Sequence, residues 1–293
     1  MLSILIPTYN YNVYPLAKEL VKQALACNIV FELICMDDGS GSHLNSDNQN
    51  INTLTSCQFI ENTKNLGSLG TRIALAKKAT YNWLLFLDAD TLPKSTSFIT
   101  YYINSLNKNF DVIFGGIDYK ISHEKKFALR ETFGRKRETA SALKRSKMIY
   151  KFVSSANFLI KKGVFLDTLG TVNKTTYGQD YLFGALLKSR KATIKHIDNA
   201  VYHLGLDENT VFLKKSKIAV NTLAELYKTN QIKEHDISLI KAYKKLNKLG
   251  LVKIFKVITA IFNRNIEKNL TSSSPSLFLF DLYRLRHFCN VTS

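Results

Sequence analysis

The stretch Trp83-Leu84-Leu85-Phe86-Leu87-Asp88-Ala89-Asp90 decides the fold. Five apolar residues run without a break into an acid, the pattern of a strand covered on both faces that ends at a polar edge. Working outward, residues 2–6 and 31–36 form two more short apolar runs. Between them Tyr14–Ala26 carries Leu16, Leu20, Val21 and Leu25 at helical spacing, so the opening reads as β-α-β. Further helices are expected at 68–79 and 94–106, and strands at 111–115, Asn157–Lys161 and 193–197, with a helix at 180–188 before the last of these. Strands alternating with helices imply a mostly parallel sheet flanked by helices, an α/β class. In such sheets ligands bind beyond the carboxyl ends of the strands. Here those ends are 7–10, 37–40 and 88–90, all rich in polar side chains.

Apolar residues make up 45% of the 293, with 18 Phe and 14 Tyr, which supports a sizeable core and argues against disorder. The cysteines, Cys27, Cys35, Cys57 and Cys289, form no CxxC pair and lack histidines at zinc-site spacing, so a reducing, cytoplasmic setting is expected. The N-terminal apolar run follows no basic segment and reads as a strand rather than a signal peptide. Residues 249–262 are interrupted by Lys253 and Lys256 and are too short to span a bilayer.

The net charge of +18 favours anionic partners. It is concentrated at 120–151, with eleven Lys/Arg against three Glu, and at 207–293, with fifteen against seven acids. The expected organisation is a catalytic domain over 1–206 and a helical, basic C-terminal extension over 207–293. Basic amphipathic helices suit peripheral contact with an anionic membrane, at the inner face of the cell membrane. They are equally explained as packed helices with solvated lysines. No recognition-helix or RNP-like pattern accompanies the charge, so nucleic acid is not expected as a partner.

Asp88 and Asp90, one residue apart at a strand end, are expected to share a side, and hard oxygen ligands so placed suit Mg²⁺ or Mn²⁺ shared with a diphosphate. The same D-x-D also serves as a turn or helix cap. A carboxylate at Asp38 in Asp37-Asp38-Gly39-Ser40 can accept from N3–H of uracil or N1–H of guanine, while cytosine offers only an acceptor there. An ordinary Asp-Gly turn is the alternative. Tyr9 in Pro7-Thr8-Tyr9-Asn10 is placed either to stack on a base or simply to pack.

These motifs, in this order with Asn65-Leu66-Gly67 and Arg72 between them, resemble the family 2 glycosyltransferases over roughly the first 205 residues. That resemblance implies a GT-A nucleotide-diphospho-sugar transferase fold with a mixed, mostly parallel sheet, and an inverting transfer from a nucleotide-diphosphate sugar to an acceptor hydroxyl. It implies that Pro7, Tyr9, Asp38, Asn65, Gly67, Arg72 and Asp88 line the donor, that Tyr9 and Asp38 hold the base, and that Asp88 and Asp90 serve the metal. Tyr177-Gly178-Gln179-Asp180 looks like the family's Glu-Asp element. Gln179 replaces the usual Glu, and Asp180 keeps the role of catalytic base. His203 matches a position where relatives place a histidine near the metal, and imidazole suits Mn²⁺ as a third ligand. A UDP-sugar donor, hexosyl or N-acetylhexosaminyl transfer, and work in surface polysaccharide or lipid-linked glycan synthesis are what the resemblance favours.

Two rivals remain at this point. A sugar-phosphate nucleotidyltransferase also holds Mg²⁺ with strand-end acids, but it carries a Gly-rich loop after its first strand, and 7–10 contains no glycine. A non-catalytic polyanion or membrane-surface binding protein keeping the same fold is the other. Arg135-Lys136-Arg137 is suited to closing over a diphosphate or to being a solvated charge run, and Asp118 is too loosely placed to assign.

Overall fold

The apolar run Trp83–Leu87 is a strand in the computed structural model, which describes residues 1–106, 109–170, 172, 177–178, 180–232 and 236–292. In chain order the strands are β1 (Leu2–Thr8), β2 (Phe31–Asp37), β3 (Cys57–Glu61), β4 (Trp83–Leu87), β5 (Thr91–Pro93), β6 (Val112–Phe114), β7 (Ile117–Asp118), β8 (Asn157–Lys161), β9 (Ile194–His196) and β10 (Val201–His203). The helices are α1 (Tyr14–Ala26), α2 (Asn45–Asn48), α3 (Gly67–Lys78), α4 (Phe98–Ser105), α5 (Ala128–Phe133), α6 (Ala142–Ser146), α7 (Lys162–Leu169), α8 (Asp180–Ser189), α9 (Asn209–Lys228), α10 (Ser238–Lys248), α11 (Val252–Ile261), α12 (Asn263–Leu270) and α13 (Leu277–Thr292).

The chain divides into two compact units, which follow packing rather than chain order. The first comprises Met1–Asp118, Ala140–Thr175 and Arg190–Gly205, and the second Tyr119–Thr139, Thr176–Ser189 and Leu206–Ser293.

In the first unit a seven-stranded sheet runs β3-β2-β1-β4-β8-β6-β9, parallel throughout except for β8, which is antiparallel to both its neighbours. Alternation sends Ile4, Ile6, Leu85 and Leu87 into one core with α1 and α4. Phe86 points to the other face, where its ring stacks on Phe158 at 5.1 Å and meets Phe165 of α7 at 4.8 Å. Both faces of β4 are therefore covered, which is why its sequence shows no polar alternation.

A second sheet of three short strands, β5-β10-β7, was not foreseen from the sequence. It also displaces the start of the helix expected at 94–106. The Lys94 amide donates to Ala200 O at 3.1 Å, extending the β5–β10 pairing, so the helix begins only at Phe98.

The second unit is helical. Phe133, Phe212 and Phe280 meet at 5.5 Å between ring centroids, in a core with Leu129, Leu213 and Leu270. The buried Leu129 amide donates to Asn209 Oδ1 at 2.8 Å. Arg130, with Tyr119 and Glu138, forms a mostly buried triad: its guanidinium donates to Tyr119 Oη at 2.7 Å and to Glu138 Oε2 at 3.0 Å. The basic segment at 119–139 is thus built onto the tail helices.

Candidate active site

The parallel strands β2, β1 and β4 are neighbours in the sheet, so their carboxyl ends lie along one edge. At the end of β2, Asp37 accepts from Ser40 N and Ser40 Oγ at 2.9 and 2.7 Å and closes the Asp-Gly turn. The buried Asp38 is the residue that this turn presents. Its amide donates to Thr8 O at 2.9 Å, and its Oδ1 accepts from Leu66 N at 2.6 Å. Gly39 adopts φ +68°, and a Cβ there would stand 2.8 Å from the Lys64 carbonyl carbon, so only glycine allows the 37–40 turn to dock on the 64–66 loop. Asn65 is exposed and its Oδ1 accepts from Gly67 N at 3.0 Å, while Gly67, at φ +73°, opens α3.

After β1, Pro7 is the last but one residue of the strand and Tyr9 is 59% exposed. Asn10 takes φ +49°, and its Oδ1 accepts from Ser42 Oγ at 2.7 Å, tying this loop to that of β2. The buried Asn48 holds the loop from the other side, donating to Tyr11 O at 2.9 Å and accepting from Val13 N at 2.8 Å. Tyr11, which sequence reasoning passed over, lies close enough to Asp90 for that carboxylate to add to burial in raising its phenol pKa. No motif marked it.

Beyond β4 the chain does not stay extended. Thr91 N and Oγ1 both donate to Asp88 O, at 3.2 and 2.7 Å, so residues 88–91 form a turn. The same-side placement expected of Asp88 and Asp90 from strand alternation therefore gives way to two different environments. Asp88 is ion-paired to the buried Arg72, whose other terminal nitrogen donates to Ser68 O at 3.1 Å. Asp90 Oδ2 lies 3.6 Å from His203 Nε2. The second sheet makes that approach, because His203 in β10 is the register partner of Thr91 in β5, and Leu204 N donates to Asp90 O at 2.8 Å. Gly205 completes it: a Cβ at this position would stand 2.1 Å from Asp90 Oδ2.

Among the described residues no group of three or more His, Cys, Asp or Glu gathers at metal-binding distance. The donor set the chain offers at this edge is a carboxylate and an imidazole side by side, a pair that fits Mn²⁺ when substrate oxygens complete the shell. Asp88, the other acid expected to serve the metal, is ion-paired to Arg72.

Asp180 is exposed and is the first residue of α8. Gln179 lies outside the described residues. Upstream, Tyr177 O accepts from Thr222 Oγ1 of α9 at 2.9 Å, and Gly178, at φ +96°, packs so closely that a Cβ would meet Ala219 Cα at 2.9 Å. In the basic triplet, Arg137 pairs with Asp281 at 2.8 Å and Arg135 with Glu131 at 3.4 Å. Asp118 pairs with Lys94.

The described architecture is shared with solved glycosyltransferases of the GT-A fold. One is the mannosyltransferase PcManGT of Pyrobaculum calidifontis, in complex with GDP-Man and Mn²⁺, at TM-score 0.55 and 12% identity, over 78% of this chain and 64% of that one. The chain thus spans less than two thirds of the mannosyltransferase's length. Glucosyl-3-phosphoglycerate synthase of Mycobacterium tuberculosis, solved with Mn²⁺, UDP and glucosyl-3-phosphoglycerate, aligns at TM-score 0.51 and 12% identity over 80% and 81% of the two chains. Residues 1–349 of S. aureus TarS align at TM-score 0.50 and 17% identity over 99% and 90%. No curated protein sequence matches. The chain belongs to glycosyl transferase family 2, whose model matches residues 3–169.

Proposed function

We propose that this chain is an inverting, metal-dependent glycosyltransferase that uses a nucleotide-diphosphate sugar, preferentially a UDP-sugar, to glycosylate an acceptor hydroxyl. The observation that carries the reading is the Asp90 and His203 pair, held together by the second sheet at the same strand edge that presents Asp38. Tyr9 stacks on the base and Asp38 Oδ2 accepts its N–H, with Pro7 shaping the floor between them. Asn65, Gly67 and Arg72 line the donor, and Asp88, neutralised by Arg72, serves the nucleotide. Asp90 and His203 hold the metal together with Asp88, which is shared between metal and nucleotide. A bound Mn²⁺ or Mg²⁺ supplies charge to stabilise the departing nucleoside diphosphate.

Asp180 removes the proton from the acceptor hydroxyl as that oxygen attacks the anomeric carbon in one displacement, giving inversion. The transferred unit is a hexosyl or N-acetylhexosaminyl group, and the acceptor belongs to surface polysaccharide or lipid-linked glycan synthesis. On this reading the protein is cytoplasmic and works at the inner face of the cell membrane, with its basic tail against anionic lipid.

Asp180→Asn is the test. The variant should keep donor binding, seen as an unchanged thermal shift with UDP-sugar and Mn²⁺, and lose transfer by at least about a hundredfold, the usual scale of a general base. Full transfer by Asp180→Asn places the base elsewhere.

A further inference from the structure

Helix α11 presents its apolar face to solvent. Its inner side is formed around Thr259, the one buried residue of the helix, whose Oγ1 donates to Phe255 O at 2.6 Å. On the opposite side Ile254, Val257, Ile258 and Ile261 follow one another at i, i+3, i+4 and i+7, and all four are 50–72% exposed. Leu249, which caps the end of α10 three residues before the helix, and Phe262, which follows it directly, are more than half exposed as well. An amphipathic helix that completed a core would turn this stripe inward, and an exposed apolar stripe of this extent marks a contact surface.

The charge around the stripe selects the partner. Residues 238–268 hold eight Lys/Arg against the single acid Glu267, a net of +7. Lys245, Lys248, Lys253 and Arg264 are exposed. A second copy meeting this face symmetrically would set two such stretches against each other with only Glu267 of each to offset their charge. An anionic bilayer offers both an apolar interior for the stripe and negative headgroups for its cationic border. At ten residues the helix is about 15 Å long, half a bilayer core, so it suits lying in the interface. Among the described residues no helix is long and apolar enough to cross a membrane.

We infer that α11 is a membrane-docking helix: Ile254, Val257, Ile258 and Ile261 enter the acyl boundary of an anionic leaflet, and the neighbouring lysines engage the headgroups. The inference rests on the reading that this glycosyltransferase works at a membrane face, and names the surface that does it.

The test sediments the full chain with vesicles of phosphatidylcholine alone or mixed with phosphatidylglycerol. The wild type should follow the anionic vesicles and not the neutral ones, with affinity falling as salt rises. Ile254→Ser/Ile258→Ser should bind at least about tenfold more weakly, and Lys248→Ala/Lys253→Ala about fivefold more weakly per lysine. Both should melt at the wild-type temperature, since the replaced side chains are exposed. No binding by the wild type overturns the membrane reading together with the docking helix. Wild-type binding that both variants retain in full leaves the membrane reading standing and overturns the assignment to α11. A lipid-free dimer that the isoleucine variant splits assigns the face to a second copy instead.

Discussion

A methyl group at position 205 would sit 2.1 Å from the Asp90 carboxylate, so glycine there decides where that carboxylate rests. Gly205→Ala must displace the Asp90 carboxylate from its present position, and on the proposed metal site the Mn²⁺ concentration for half-maximal activity should rise by about tenfold or more, as for other changes that misplace a ligand. An unchanged Mn²⁺ dependence would free Asp90 from the metal role. A buried histidine makes a separate, structural prediction. His196 lies between Arg145, 3.0 Å from its Nδ1, and the Ile149 carbonyl, 3.0 Å from its Nε2. This arrangement suits a neutral ring that accepts from Arg145 and donates to Ile149, and burial first, then Arg145, lowers its pKa from 6.5 to about 4. The unfolded chain therefore takes up the proton earlier than the folded one on acidification. His196 favours the folded state fully above pH 6.5, and this contribution is lost as pH falls from 6.5 to about 4. His196→Phe, which keeps the stacking on Phe114, should flatten that part of the stability profile in denaturant titrations. A profile that keeps its slope would assign it to other groups. At this scale the sequence marks Asp88 and Asp90 as candidate acids, with Asp90 the firmer metal ligand and Asp88 shared with the nucleotide, but it does not show their neighbours. Nothing in Asp-Ala-Asp tells that Arg72, sixteen residues upstream, takes Asp88, or that a turn rather than a strand separates the two carboxylates.

Elements were legible in proportion to their length and the purity of their patterns. β4 could be read from five apolar residues because both its faces are buried, and α1 from its helical spacing. β5, β7 and β10 have two or three residues each, too few for any periodicity, yet they bring His203 to Asp90. Only pairing across the chain creates them, and a lone histidine gives no sign of it. The same holds for α9, the first helix of the expected C-terminal extension. It carries Thr222 and Ala219 against the segment that leads into α8 and Asp180. Gly178→Ala, at a positive φ and with no room beside Ala219, should cost about 1–3 kcal/mol in chemical denaturation and lower transfer more than donor binding. Equal stability would show that the segment before α8 yields freely and that α9 does not position it.

On the scale of the whole molecule, the fold class followed from the order of strands and helices, whereas the packing into two units rests on contacts far apart in the chain. Residues 119–139 and 176–189 cluster with the C-terminal helices, and pairings such as Leu129 with Asn209 span about eighty residues, beyond the reach of local patterns. The expected division at 206 remains a proposal about folding units and is distinct from this packing. What joins residue, element and molecule is one claim, that a strand-edge acid and a histidine brought to it by a second sheet hold the metal for sugar transfer. The most direct test is release of nucleoside diphosphate by the full chain from a panel of nucleotide sugars, with and without Mn²⁺, beside Asp90→Ala. Release from a UDP-sugar should depend on Mn²⁺ in the wild type and fall by at least about a hundredfold in the variant, on the scale of removing a positioned catalytic charge. Metal-independent release, or near-normal release by Asp90→Ala, would contradict that claim.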